Sequence, residues 1–215
     1  MMSRTVFVFA ILFFAFLAAI PDAGADTVSY VQVMESSGVP PVTVKVWIKD
    51  DRMRMESEAQ GEKLITIKRS DGIYNYIPSR DMLTKLPRFG EEDENSPASE
   101  NPFNYVEYLR SQDAKFTGND TINGYECDVY EYVDKYSRAH VIAWIWKEKE
   151  FPVQMMIKPP VGYQTLVTFR DIKINGPVSD ELFELPKSSS YIDTTNVVDS
   201  IKGLLQQYKD QAEEG

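Results

Sequence analysis

The stretch V42-T-V-K-V-W-I-K-D-D-R-M-R-M-E56 contains the pattern on which the fold depends. Every second residue from Val42 to Ile48 is apolar, and Thr43 and Lys45 stand between them. Successive side chains of a β-strand point to opposite faces of a sheet, so this spacing predicts a strand with one buried face. After a turn at K49-D-D51 the alternation resumes, with methionines directed inward and arginines outward. The stretch therefore predicts an antiparallel hairpin.

The same alternation extends over most of the chain. It predicts strands at residues 28–34, 42–48, 52–56, 64–68, 73–77, 82–86, 125–132, 139–147, 153–157 and 163–174. Turn residues such as Asp71-Gly72 separate these runs, because glycine tolerates the positive φ that a tight hairpin turn requires. We therefore expect a mainly β domain built on a curved antiparallel sheet of roughly nine to eleven strands.

One internal segment has a helical pattern instead. Asn101 followed by Pro102 is typical of a helix start, where a capping residue precedes proline in the first turn. Phe103, Val106 and Leu109 then fall on one helix face. The acidic residues 90–100 before it predict a solvated loop. We expect a crossover helix between two groups of strands.

The tail, residues 187–215, predicts a linker and a second amphipathic helix over 193–212. Asp193 or Thr194 can cap this helix, and its apolar residues recur at helical spacing. They are Val197, Val198, Ile201, Leu204, Leu205 and Tyr208. Such a stripe has to cover an apolar surface, and a movable lid is the role we expect.

Residues 1–25 have the three parts of a secretory signal peptide. Arg4 is the only early charge, an apolar run extends to Ile20, and small residues end the segment at Ala25. The alternative is an uncleaved anchor, but Pro21 would break a helix shorter than the roughly 20 residues that span a bilayer. We expect export to the periplasm, with a mature domain over 26–186 followed by the tail 187–215.

Charge and cysteine content exclude several classes of function. The net charge is −10, and a field of that sign repels phosphate backbones, so nucleic acid is not an expected partner. Cys127 is the only cysteine, so an exported monomer has no internal disulfide and must be stabilised by its core. A chain of this length can bury about 70% of its unfolded surface, which is enough for one domain.

The strand N123-G-Y-E-C-D-V-Y-E-Y132 raises the question of a catalytic thiol. Cys127 and His140 are the only cysteine and histidine, and consecutive strands carry them. A nucleophile needs a base within hydrogen-bond reach. However, Cys127 shares its face with Tyr125 and Val129, and a buried thiol without a nearby cation is a poor thiolate. We therefore interpret Cys127 as an inward structural residue, with Asp128, Tyr130 and Tyr132 outward.

Other catalytic or metal-binding patterns are weak or absent from the sequence. One histidine and one cysteine do not supply the three or four ligands of a zinc or copper site. Met53 with Met55 and Met155 with Met156 suggest copper(I), but methionines on strand faces are more often core residues. Acid pairs such as Asp50-Asp51 lie in turns. We expect no catalytic residue, no metal and no cofactor.

The apolar strand positions predict one continuous surface on the inner side of the curved sheet. Two helices are hardly enough to fill it, which leaves room for an apolar ligand, although an ordinary filled core is the alternative. The candidate lipid-binding residues are Val44, Val46, Ile48, Met53, Met55, Ile65, Ile67, Ile142, Trp144, Trp146, Met155 and Ile157.

The order of these elements resembles the outer-membrane lipoprotein carrier superfamily, with the LolA/LolB-like fold. Within it, the chain is most similar to uncharacterised lipoprotein-sorting-type, DUF4412-like proteins. The matching stretches are V46-W-I-K49, D71-G-I-Y-N-Y-I-P78, N101-P-F103, N123-G-Y-E-C127, A143-W-I-W-K-E-K-E-F-P-V153 and I174-N-G-P-V-S-D-E-L-F-E-L-P186. They extend over residues 28–186.

The resemblance implies an unclosed β-barrel in the periplasm, with helices at its mouth and an apolar concavity for lipid chains. It also implies no catalysis and no cofactor. Two features differ from the carriers, which begin with a long amphipathic helix and have arginine where this chain has Asp50.

These features together predict a periplasmic, non-enzymatic protein that binds lipid or lipoprotein acyl chains. It would act as a carrier or sensor in outer-membrane lipoprotein sorting, as a monomer. An inner- or outer-membrane protein is left open as a further partner. The alternative is a protein-interaction or regulatory module of the envelope with a filled core and no lipid, and an enzyme ranks third.

Overall fold

The structure, a computed structural model, describes residues 27–59, 61–86 and 105–195. Within these ranges the chain forms twelve strands, one α-helix and two short 3-10 turns, Pro78–Arg80 and Asp180–Phe183. The strands and the helix, in chain order, are β1 (Thr27–Ser36), β2 (Val42–Lys49), β3 (Arg52–Ala59), β4 (Glu62–Arg69), β5 (Gly72–Ile77), β6 (Met82–Leu86), α1 (Tyr105–Ser111), β7 (Lys115–Ile122), β8 (Tyr125–Val133), β9 (His140–Trp146), β10 (Phe151–Lys158), β11 (Thr165–Ile174) and β12 (Ser190–Asp193).

All twelve strands belong to one sheet, in the order β12-β6-β5-β4-β3-β2-β1-β11-β10-β9-β8-β7. Neighbours are antiparallel except β12 and β6, which are parallel. The first and last strands of this order do not pair with each other within the described ranges, so the sheet is an unclosed barrel. The mainly β class, the unclosed barrel and the crossover helix predicted from the sequence are confirmed.

Two strands were not predicted. Strand β7 carries Gly118, Asn119 and Asp120 and has no buried position, so its sequence shows no apolar alternation. It pairs with β8 through a tight turn at Asn123-Gly124, where both residues have positive φ. Strand β12 is four residues long, is mostly exposed and adds to β6 through its backbone. Both lie at the edges of the sheet, where backbone pairing needs no buried side chain.

The two faces of the sheet differ in what covers them. We name the face that carries Val28, Val46 and Met55 the cavity face, and the opposite one the reverse face. The main core lies on the cavity face, where α1 packs with Tyr105 and Leu109 buried. Its buried residues are Val28, Tyr30, Val44, Val46, Ile48, Met53, Met55, Tyr105, Leu109, Tyr132, Ala139, Val141, Ala143, Ile145, Phe151, Met155, Val167 and Phe169.

A smaller apolar layer lies on the reverse face of β3 to β5. The segment after β11 packs over it and buries Val178 and Phe183. Arg54 Nη1 donates a hydrogen bond of 3.0 Å to the carbonyl of Leu182. The Arg52 guanidinium lies 4.9 Å from the centre of the Phe183 ring. The segment after β11 thus covers the reverse face of this half of the sheet.

Several predicted segments fall outside the described residues. They are the signal peptide 1–25, the loop 90–100, the helix start at Asn101-Pro102 and nearly all of the C-terminal helix 193–212. At the described start of that helix, Asp193 ends β12, its Oδ1 accepts a hydrogen bond of 2.9 Å from the amide of Thr195, and Thr195 is helical. Among the helices of the described ranges, none has the length and apolar character needed to cross a membrane.

Candidate ligand-binding cavity

A cavity of about 270 Å³ lies between the cavity face and helix α1. Its floor is formed by β1, β8, β9, β10 and β11, and the tyrosines of α1 form its roof. The lining residues are Gln32, Met34, Tyr105, Tyr108, Tyr132, Asp134, Ser137, Ala139, Val141, Met155, Ile157, Pro159, Thr165 and Val167. Most of the lining is apolar, so the cavity suits a hydrocarbon group.

Small residues under α1 explain why this space is empty. Ala139, Val141 and Ala143 are the cavity-face residues at and just before strand β9, and none reaches far from the sheet. The gap is bridged from the other side, where Tyr105 OH and Tyr132 OH lie 2.8 Å apart. This tyrosine pair connects helix α1 to strand β8 above the short side chains of β9. The cavity lies beside the pair.

Asp134 anchors the roof at the rim of the cavity. Its Oδ1 accepts hydrogen bonds from the backbone amide and the hydroxyl of Ser137, at 2.6 and 2.7 Å, and from the amide of Tyr136. Its Oδ2 accepts one from Tyr108 OH on α1. Burial by itself would raise the pKa of Asp134, but the hydrogen bonds from Tyr108, Ser137 and Tyr136 outweigh burial and hold the pKa below its usual value. The carboxylate is therefore ionised and fully engaged.

The remaining polar groups of the lining are engaged in the same way, except one. Thr165 Oγ1 lies 2.6 Å from Ser36 Oγ, and the tyrosine and serine hydroxyls are bonded as described. Gln32 is 7% exposed. Its side-chain amide forms no hydrogen bond to any other described residue. Every fully shielded side-chain N or O atom of the described residues has a partner. The Gln32 amide is therefore in contact with the cavity space.

The cavity lining extends to Met34, Pro159 and Thr165 at one end of the strands, which we name its mouth, and the loops there have exposed apolar tips. Strand pairing places the β1–β2 loop beside the β10–β11 loop, because Ser36 is opposite Thr165. Val161 and Tyr163 of the second loop are 89% and 69% exposed, and Val39 of the first is 49% exposed. Asp50 lies in the turn at the other end of β2, away from this mouth.

Seven of the twelve candidate residues lie on the cavity face, and five do not. Strand register places Val44, Val46, Ile48, Met53, Met55, Met155 and Ile157 together on the cavity face. It pairs Ile65 with Glu56 and Ile67 with Arg54, which puts both isoleucines on the reverse face. The expectation that all twelve line one surface is therefore wrong for Ile65 and Ile67.

It is also wrong for Ile142, Trp144 and Trp146. Strand β9 is apolar on both faces, so alternation does not show which face is inside. The structure buries Val141, Ala143 and Ile145 and leaves Ile142, Trp144 and Trp146 half-buried on the reverse face. Trp144 Nε1 donates to Asp120 of β7, and the Trp146 ring packs on Tyr125. Asp120 and Tyr125 give the two rings partners on the reverse face, which favours that face.

Only Met155 and Ile157 of the candidates line the cavity itself. Sequence reasoning missed Gln32, Tyr105, Tyr108 and the other lining residues. One signal was available for Gln32, because it is the single amide in a cavity-face series of Val28, Tyr30 and Met34. No sequence signal indicated that α1 would place two tyrosines over β8 and β9.

Cys127 and His140 do not form a catalytic pair. Cys127 is opposite Trp146, whereas His140 is opposite Val133, six residues further along β8. At about 3.3 Å per residue the two are roughly 20 Å apart. Cys127 is fully buried, and burial, with the charges of Asp120 and Asp128, raises the pKa of its thiol. His140 Nε2 instead lies 2.6 Å from Glu131 Oε1.

The prediction for the neighbours of Cys127 is half right. Cys127 is buried as expected, but on the reverse face, beneath the Trp146 layer. Tyr132, predicted to point outward, is 7% exposed and belongs to the main core, and Tyr130 packs against that core. Strand β8 is buried on both faces, so alternation did not distinguish them.

The two methionine pairs named above are placed on strands of the described ranges. Met53 and Met55 are packed in the core, while Met155 and Met156 lie on opposite faces of β10. Within the described ranges, no group of three or more His, Cys, Asp and Glu side chains is placed to hold a metal ion.

Comparison with solved structures shows that distantly similar proteins share this fold. An uncharacterised conserved protein from Thermus thermophilus aligns with TM-score 0.56 and 11% identity, over 79% of this chain and 91% of its own. MucB, whose complex with MucA is known from Pseudomonas aeruginosa, aligns with TM-score 0.51 and 11% identity over 78% of this chain. This chain spans 60% of MucB.

Other comparisons are weaker. A LolA superfamily protein from Nitrosomonas europaea is 11% identical over 80% of this chain and 94% of its own, with a TM-score of 0.36 that does not establish a common fold. No family model and no curated protein matches the sequence.

Proposed function

We propose that this protein is a periplasmic, non-enzymatic binding protein for the acyl chains of lipids or lipoproteins, acting as a carrier or sensor in outer-membrane lipoprotein sorting. The observation that carries the proposal is the apolar cavity beneath α1. The signal-peptide pattern of residues 1–25 supports the location, and the separation of Cys127 from His140 argues against thiol catalysis.

The cavity volume limits what is bound. A water molecule occupies about 30 Å³ of liquid and a methylene group occupies a similar volume, so the cavity holds about nine such groups. Burying nine methylenes contributes about 7 kcal/mol at ~0.8 kcal/mol each, before the cost of association is subtracted. The cavity therefore takes about nine carbons of an acyl chain, with a dissociation constant no tighter than about 10 μM.

Two measurements test the proposal. Native mass spectrometry of protein purified from the periplasm should show a bound acylated molecule. The fluorescence of N-phenyl-1-naphthylamine should rise when this apolar dye is added to the full mature chain, and an acylated lipid should displace it. Protein that carries no ligand and leaves the dye fluorescence unchanged would contradict the proposal.

Two neighbouring residues of β9 provide a matched pair of variants. Val141 lines the cavity, whereas Ile142 lies on the reverse face. Val141→Phe should fill the cavity and reduce dye binding at least tenfold, and Ile142→Phe should leave it within twofold. An equal loss in both variants would point to general misfolding.

A second candidate function is a protein-interaction module of the envelope. The exposed Val161 and Tyr163 favour it, because together with Val39 of the adjacent loop they place three exposed apolar side chains at one end of the sheet. Replacing both with serine should leave dye binding intact. If this second function holds, the same replacement should abolish capture of a protein partner.

A further inference from the structure

We infer that Gln32 is the specificity-determining residue of the cavity and that the ligand is electrically neutral, with an amide or ester carbonyl within reach of the Gln32 side chain. The inference rests on the proposed function and adds the chemical class of the ligand. It starts from the one polar side chain of the lining that has no protein partner among the described residues.

The position of Gln32 gives its amide a defined orientation. It lies on the central strand β1, opposite Val44 on one side and Phe169 on the other, so its side chain points to the cavity face. Val44 and Phe169 are both buried, and neither side chain can accept or donate a hydrogen bond. The residues opposite Gln32 on β2 and β11 therefore offer its amide no hydrogen-bond partner.

An amide in such a place requires a partner. Burying a polar group without a hydrogen bond is unfavourable, and water inside a cavity of this size can supply the bond when no ligand is bound. A ligand that displaces this water must replace its hydrogen bond or lose affinity. A pure hydrocarbon cannot do so, but a carbonyl, ester or amide group can.

Charge in the lining favours a neutral group over a carboxylate. Asp134 is the only charged residue of the lining, and all its hydrogen bonds come from the protein. No lining residue is a lysine or arginine that could neutralise a ligand anion. In a medium of low polarity an anion near Asp134 is repelled. An esterified or amide-linked acyl chain meets both conditions, whereas a free fatty acid does not.

Three probes of equal heavy-atom count separate these contributions. They are heptanamide, heptanoate and 1-chlorooctane, each measured by displacement of N-phenyl-1-naphthylamine from the full mature chain at pH 7.5. Heptanamide should bind about fivefold more tightly than 1-chlorooctane, the equivalent of one net hydrogen bond of about 1 kcal/mol. Heptanoate should bind most weakly.

Variants assign the difference to Gln32. Gln32→Leu and the longer Gln32→Met should each weaken heptanamide about fivefold and leave 1-chlorooctane unchanged or tighter. Gln154→Leu is the matched control, because Gln154 is on the reverse face of β10 and should change none of the three affinities. Thermal melting confirms that the variants are folded.

Some outcomes would overturn the inference alone and others the proposed function as well. Equal affinity of wild type for heptanamide and 1-chlorooctane, or stronger binding of heptanoate, would overturn the role of Gln32 and leave the cavity as a binding site. A uniform loss of all three probes in both Gln32 variants would have the same consequence. Failure of the wild type to bind any probe would overturn both.

Discussion

The two halves of strand β1, one around Tyr30 and the other beginning at Gln32, use the same face of the sheet in opposite ways. At one end, Tyr30 contacts Phe151 and Phe169, with ring centres 5.6 and 5.5 Å apart, and the two phenylalanines contact each other at 6.0 Å. At the other end, two residues further on, Gln32 faces the cavity. We name these regions the ring end and the cavity end.

The difference shows where stability and binding are separated in this fold. Three large rings fill the ring end, whereas alanine and valine of β9 leave the cavity end hollow. Close packing contributes most where side chains are fully enclosed, and a cavity forgoes those contacts. The ring end therefore stabilises the sheet, and the cavity end provides space for a ligand.

Truncating one side chain at each end should give the largest difference in the free energy of unfolding between the ring end and the cavity end. Phe151→Ala should lower the free energy of unfolding by about 3–5 kcal/mol, because Phe151 is fully buried in the ring end. Ile157→Ala should cost less than about 2 kcal/mol, because Ile157 is half-buried and already borders empty space. Urea denaturation monitored by circular dichroism measures both, and equal losses would show that the cavity is absent in solution.

Asp134 should make the cavity end more sensitive to acid than the ring end. Asp134→Asn should lower the free energy of unfolding at pH 7 by about 1.5–3 kcal/mol, since hydrogen bonds to the carboxylate are lost. The pKa of Asp134 is lower in the folded protein than its unfolded value of about 3.9. Its contribution is thus present above that value and is lost as the pH falls through the folded pKa.

Urea titrations of wild type and Asp134→Asn between pH 7 and pH 3 test this. The difference between the two proteins should be constant down to about pH 5 and shrink below it. A difference that persists unchanged at pH 3 would mean that the hydrogen bonds of Asp134 do not depend on its charge.

Enlarging a valine should have opposite consequences at a filled and at a hollow position. Val46→Phe should cost about 1–3 kcal/mol through overpacking, because Val46 is 2% exposed within the core. Val141→Phe should change the free energy of unfolding by less than about 1 kcal/mol, because the ring enters the cavity. Differential scanning calorimetry compares the two, and a large loss at Val141 would argue that the space is not free.

The smallest expected effect concerns the thiol behind the ring end. Cys127 is fully buried on the reverse face, and burial raises its pKa, so thiol reagents at pH 8 should label it only as fast as the protein opens. Phe151→Ala should accelerate labelling and Ile157→Ala should not. The absorbance change on reaction with 5,5′-dithiobis(2-nitrobenzoic acid) provides the rates. Rapid labelling of the wild type would contradict the burial of Cys127.

Sequence reasoning succeeded where one strand face is polar. Strand β2 alternates Val44, Val46 and Ile48 with Thr43 and Lys45, and the structure buries the valines and the isoleucine as predicted. Strand β9, apolar at nearly every position, gave no such contrast, and the assignment of Trp144 and Trp146 was wrong. The edge strands β7 and β12 were missed because backbone pairing holds them without a buried side chain.

The sequence by itself determined the class of the fold, since period-two alternation and turn residues specify strands and hairpins locally. It also determined the net charge of −10 and the presence of a single cysteine. Only the tertiary structure decided which face of β9 is inside and where the cavity lies. Both depend on helix α1, whose tyrosines bond to Tyr132 and Asp134 across more than twenty residues of chain. Local periodicity carries no information about such a contact, because it is set by packing between segments far apart in the sequence.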